Sequence, residues 1–93
     1  MAESLRADSV PRLAPACRLQ WEEAQQAYVL LYPEGMVTLN ASAHAVLTRC
    51  DGERTVDEIL AGLWAAFPDA DLTEDVYEFM EVAREEGWIC SAD

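Results

Sequence analysis

The stretch from Leu39 to Leu60, LNASAHAVLTRCDGERTVDEIL, decides the fold. Asn40 is a good helix N-cap, and Gly52 can take the positive φ that ends a first helix. Thr55 with Glu58 three residues on forms a T-x-x-E capping box, so a second helix starts at once. Between these signals Ala43, Val46, Leu47 and Cys50 follow the i, i+3, i+4, i+7 spacing of one helical face. Val56, Ile59, Leu60, Leu63 and Phe67 do the same in the second helix. Two apolar faces meeting at a tight turn need further elements to cover them.

The sequence on either side supplies those elements. Upstream, Leu19 and Trp21 alternate with Arg18, Gln20 and Glu22, which predicts a strand with one buried face. Ala27 to Tyr32, AYVLLY, predicts a central strand. Pro33 and Gly35 then suit a three-residue hairpin loop with a bulge, and Met36 to Leu39 is the returning strand at the sheet edge. Downstream, Pro68 stops the second helix. Thr73 is the N-cap candidate of a third, with Glu74 and Asp75 in its first turn, where the helix dipole favours acids. Val76, Phe79, Met80 and Ala83 form its apolar stripe, Gly87 ends it, and Trp88 and Ile89 return as an apolar anchor. The predicted order is βββααα: an α+β domain, winged helix-turn-helix-like, with a three-stranded antiparallel sheet followed by three helices. Residues 1–15, with Pro11 and Pro15 and no apolar periodicity, are expected to be a flexible N-terminal arm outside the core, and residues 16–93 the folded domain.

Composition narrows the functions. With 93 residues, of which 52% are apolar, the chain suits a single core. No apolar run approaches the roughly 18 residues of a membrane span, and no secretory signal pattern begins the chain, so the expected location is cytoplasmic. The formal net charge is −12, with no Lys at all. Residues 1–50 carry four Arg against five acids, net −1, and residues 51–93 carry two Arg against thirteen, net −11. Such a surface repels phosphate backbones and anionic lipid. The predicted third helix offers only Arg84 against six acids, which excludes it as a DNA-reading helix.

Catalytic and metal-binding patterns are missing. Cys17, Cys50 and Cys90 are dispersed, without a C-x-x-C pair, and His44 is the lone His. No zinc spacing, phosphate loop or nucleophile elbow occurs, so neither enzyme activity nor a cofactor is expected. A binding role is. The edge strand at Met36, Val37, Thr38 and Leu39 can accept an extended peptide as a fourth strand, and Val76, Tyr77, Met80, Ala83 and Arg84 of the third helix could form the far wall of a groove beside it.

The motifs LLYPEG (Leu30–Gly35), LN-x-SA (Leu39–Ala43), CDG-x-R-T (Cys50–Thr55) and REEGW (Arg84–Trp88) occur together. In that combination the chain resembles the PqqD family of pyrroloquinoline quinone (PQQ) biosynthesis, from about Arg12 to Ile89. The resemblance implies a βββααα peptide-recognition element of the kind used for ribosomally made, modified peptides. It implies a chaperone that holds the precursor peptide PqqA against the third strand and third helix and presents it to the radical-SAM enzyme PqqE. It implies no catalytic residue and no cofactor of the chain's own. A homodimer through exchange of the arm or of a strand stays open, and the alternative function is a winged-helix scaffold joining two proteins without holding a peptide.

Overall fold

A computed structural model describes residues 5–91. Its elements are β1 (Pro11–Leu13), β2 (Arg18–Glu22), β3 (Ala27–Tyr32), β4 (Gly35–Thr38), α1 (Ala41–Thr48), α2 (Val56–Ala66), α3 (Thr73–Glu85) and β5 (Ile89–Ser91). Strands β2, β3 and β4 form an antiparallel meander with β3 in the centre, and β1 pairs antiparallel with β5 in a second, two-stranded sheet. The α+β class and the three helices are as expected. The order is wider than βββααα, because a strand stands on either side of the predicted set.

The predicted apolar faces meet in one core. Leu30 from the sheet, Leu47 from α1, Ile59 and Leu63 from α2, Met80 from α3 and Ile89 from β5 are all fully buried. Helix α2 starts as the sequence specifies. The Thr55 side chain accepts from Glu58 N–H at 3.1 Å, and the Glu58 carboxylate accepts from Thr55 N–H at 2.8 Å. Helix α3 ends in a Schellman arrangement: Gly87, at φ +82°, donates to Arg84 C=O, and Trp88 donates to Ala83 C=O at 2.8 Å.

Residues 5–15 lie on the fold, not off it. Leu5, Ser9 and Pro11 are buried. Ser9 C=O accepts from Val56 N–H at 2.9 Å and Ala7 C=O from Asp57 N–H at 3.0 Å, so this segment satisfies the first two free amides of α2. Strand β1 then runs between β5 and the turn after α1, with Leu13 N–H donating to Cys50 C=O and Gly52 N–H to Pro11 C=O. The expected flexible arm is thereby corrected over these residues; Met1–Ser4 lie outside the described residues. The segment has no internal periodicity because its partners are backbone groups of other elements, which side-chain patterns do not report.

Smaller differences have local causes. Helix α1 stops at Thr48, and Gly52, at φ +79°, shapes the turn beyond it. The β3–β4 hairpin has two loop residues, Pro33 and Glu34, because Tyr32 pairs directly with Gly35; the bulged three-residue loop does not form. Thr73 is the first residue of α3 and not its cap. Its N–H donates to Asp71 Oδ1 at 3.2 Å, so the aspartate supplies the acceptor. Tyr28 stacks on His44 of α1 with ring centroids 3.8 Å apart, and Trp21 meets Tyr28 edge-on at 5.1 Å.

Thr55→Ala removes one half of the capping box and should lower stability by about 1 kcal/mol, seen as a fall of roughly 4–8 °C in Tm. Removal of residues 1–8 deletes buried Leu5 and one α2 amide acceptor, and should lower Tm further than Thr55→Ala. Burial holds the His44 imidazole below its ordinary value. The unfolded chain therefore binds that proton more readily. The stability contribution is complete above about pH 6.5 and is lost as pH falls through the folded-state value. Thermal midpoints between about pH 7.5 and about pH 5.5 should fall on acidification, and His44→Gln should flatten that part of the profile.

Candidate functional site

Strand β4 is one of the two edges of the meander, and its register decides what it can offer. Val29 faces Thr38, Leu30 faces Val37, Leu31 faces Met36 and Tyr32 faces Gly35. Leu39 N–H donates to Tyr28 C=O at 2.9 Å, which makes Leu39 and Tyr28 a hydrogen-bonded pair. Antiparallel ladders alternate, so Val37 and Gly35 also turn their N–H and C=O groups toward β3. Met36 and Thr38 turn theirs outward. The edge therefore presents two N–H and two C=O groups, about 7 Å apart along the strand.

Side chains alternate with the same period. Val37 and Leu39 point to the core, Leu39 being only 7% exposed. Met36, 46% exposed, and Thr38 lie on the other face, where the Thr38 hydroxyl meets the Gln25 amide. Of the four residues expected to pair with a peptide backbone, Met36 and Thr38 can do so. Val37 and Leu39 anchor the strand instead. That division was available from the period of two in MVTL, but only once the strand's partner was known.

The opposing wall is more closed than expected. Val76 (3% exposed), Met80 (0%) and Ala83 (0%) are core residues of α3 and line no open groove in the free chain. An amphipathic stripe marks the face that leaves water, and here that face is consumed by the chain's own core. Tyr77 is half-buried against the core cluster. Arg84 is half-buried too, with Nε 3.0 Å from the Glu81 carboxylate. Sequence periodicity put these five residues on one side of α3; the structure divides them into three that hold the helix and two that reach its margin.

Two aromatic residues outside the expected set lie at one end of β4. Tyr32, opposite Gly35, is met by the Trp88 ring with centroids 5.7 Å apart. Gly35, at φ +155°, adds no side chain there, and a Cβ would lie 3.9 Å from the Tyr32 hydroxyl. The W of REEGW was visible in the sequence only as an apolar anchor. Its contact with the hairpin depends on the helix end that turns the chain back.

Burial, with the Asp51 charge adding to it, pushes the Cys50 thiol up to about 12, and its Sγ–H donates to Val46 C=O at 3.4 Å. Burial likewise raises the Cys17 thiol, with Glu34 contributing, and Cys17 faces Gly87 C=O at 3.9 Å. Both thiols stay protonated near neutral pH and are poor nucleophiles. No group of three or more His, Cys, Asp or Glu able to hold a metal ion occurs among the described residues, and no described helix is long and apolar enough to cross a membrane.

Comparison with known proteins identifies relatives of the chain. Residues 27–89 match the family model of coenzyme PQQ synthesis protein D. The PqqA binding protein of Azotobacter vinelandii is 53% identical over 83 residues, covering 88% of this chain and 90% of that protein. That of Methylococcus capsulatus is 45% identical over 86 residues, covering 92% of each. A solution NMR structure of the PqqD truncation of Methylobacterium extorquens PqqCD, described as a functional and stand-alone RiPP recognition element, superposes with a TM-score of 0.76 at 30% identity, covering 94% of this chain and 95% of that one. With the family model spanning most of the fold and relatives similar over nearly their whole length, the chain belongs to the PqqD family, the coenzyme PQQ synthesis protein D family.

Proposed function

We propose that this chain binds the PqqA precursor peptide in PQQ biosynthesis by adding it as a strand to the outer edge of β4. The observation that carries this reading is the outward pair of backbone sites at Met36 and Thr38 on an edge with no Pro, Lys or charged side chain. The other edge of the meander, β2, carries Arg18 and Glu22, the kind of charged side chain that discourages strand addition. Each backbone hydrogen bond contributes only about 1 kcal/mol net, so side-chain contacts must add to affinity. Tyr77 and Arg84 at the margin of α3 and exposed Met36 on β4 are the candidates. Val76, Met80 and Ala83 act beneath them by fixing the position of α3. Val37 and Leu39 do the same for β4.

The domain works as a non-catalytic carrier on a winged-helix-like scaffold in the cytoplasm. It presents the held peptide to the radical-SAM enzyme PqqE, whose cluster and S-adenosylmethionine perform the chemistry. A second copy pairing along β4 would occupy the same edge, so a homodimer formed that way competes with the peptide.

Titration with PqqA peptide, followed by backbone amide NMR, tests the reading. The largest shifts and the greatest slowing of amide exchange should fall at Met36 and Thr38. Thr38→Pro removes an outward N–H and puts a ring where the peptide strand would lie, so it should stay folded and bind at least about tenfold more weakly. Shifts confined to β2 and its hairpin, or unchanged affinity in a folded Thr38→Pro variant, would refute strand addition at β4.

A further inference from the structure

Trp88 carries the one buried side-chain nitrogen or oxygen, among the described residues, that has no hydrogen-bond partner: its indole Nε1. Buried polar atoms are almost always satisfied, and an orphaned N–H forfeits the bond it made to water in the unfolded chain. A ring that served only to fill space at this place would be as well provided by Phe, with no donor to strand. The donor therefore calls for an acceptor that the free chain lacks.

The surroundings indicate where that acceptor comes from. Gly87 and Trp88 follow the end of α3 and lie over the last row of the β3–β4 hairpin, where Tyr32 faces Gly35, one residue beyond the row where Arg18 faces Leu31 and Leu31 faces Met36. Cys17, which precedes Arg18, approaches Gly87 C=O with its Sγ–H, and the Trp88 ring lies against Tyr32 at 5.7 Å. Beyond Tyr32 the row ends at Gly35, the first residue of the open edge. The backbone of Trp88 is meanwhile fully engaged, its N–H with Ala83 and its C=O with Ala14 N–H at 2.8 Å, so the residue is held in place while its side-chain donor is left over.

We propose that the Trp88 indole N–H is a recognition donor for an oxygen of the docked peptide, a main-chain carbonyl or a side-chain carboxylate at the Gly35 end of β4. The inference rests on the strand-addition reading and deepens it. Nε1 is buried in the free chain, so docking at that end of the strand must uncover it. The bond so formed would favour a peptide with an acceptor at that register over one without.

The test uses the wild-type chain and PqqA peptide, with the indole ¹H–¹⁵N signals of Trp21, Trp64 and Trp88 assigned by single Phe replacements. The Trp88 signal should lie upfield in the free protein, as expected for an indole proton without an acceptor, and move downfield in step with the Met36 and Thr38 amides as peptide is added. Trp88→Phe should bind the peptide roughly three- to tenfold more weakly, the worth of one hydrogen bond. If the Met36 and Thr38 amides move while the Trp88 signal stays, the N–H takes no part in recognition and the proposal is wrong. Should Trp88→Phe not fold, the wild-type spectra decide the matter alone. If neither the amides nor the indole respond, strand addition itself fails, and this proposal falls with it.

Discussion

The N-terminus of α2 is the junction on which the rest of the structure depends. A helix leaves its first amides without internal partners, and this helix carries Val56, Ile59, Leu60 and Leu63 into the centre of the core, where unpaired N–H groups would be costly. Three are satisfied from three places: Val56 by Ser9 C=O, Asp57 by Ala7 C=O and Glu58 by the Thr55 hydroxyl. Because two acceptors come from a segment about 50 residues away in sequence, closing the helix also fixes the path of that segment. From there it enters β1, and β1 in turn holds β5 and the end of α3. Helix start, chain terminus and second sheet are thus one connected set of backbone bonds.

The same economy of backbone groups governs the proposed binding edge. Strand β4 spends the N–H and C=O groups of alternate residues on β3 and leaves those of Met36 and Thr38 outside. A one-residue slip would reverse both the free bonding groups and the inward side chains, so the packing of buried Leu39 and half-buried Val37 against the core also fixes what the edge offers. Which backbone groups the edge offers is a consequence of register. The acidic surface of residues 51–93 repels polyanions, whereas the outer edge of β4 carries no charged side chain.

Much of this was legible in the chain. The capping box at Thr55–Glu58, most of the apolar faces of α1 and α2, the strands on either side of Pro33 and the glycine at 87 are local signals with local causes, although Cys50 and Phe67 reach the core from just beyond their helices. The failures share one cause. β1, β5 and the docking of residues 5–15 are made by backbone contacts between segments remote in sequence, and such contacts leave no periodic trace in either partner. Thr73 is the first residue of α3 and not its cap, and its N–H donates to Asp71 Oδ1.

For the site, the division is sharper still. The sequence by itself determined that one strand would end the meander, that it would be uncharged, and that Val76, Met80 and Ala83 would share a face of α3, because hydropathy and helical or strand period are properties of neighbours along the chain. It could not determine which side of that face would be wet. Tertiary structure decided that Met80 is fully buried, that Tyr77 and Arg84 lie at the margin, that Met36 and Thr38 hold the outward groups, and that the Trp88 indole sits beside Tyr32 with its N–H unspent. Solvent exposure and hydrogen-bond satisfaction depend on what covers a group, and the covering elements come from elsewhere in the chain.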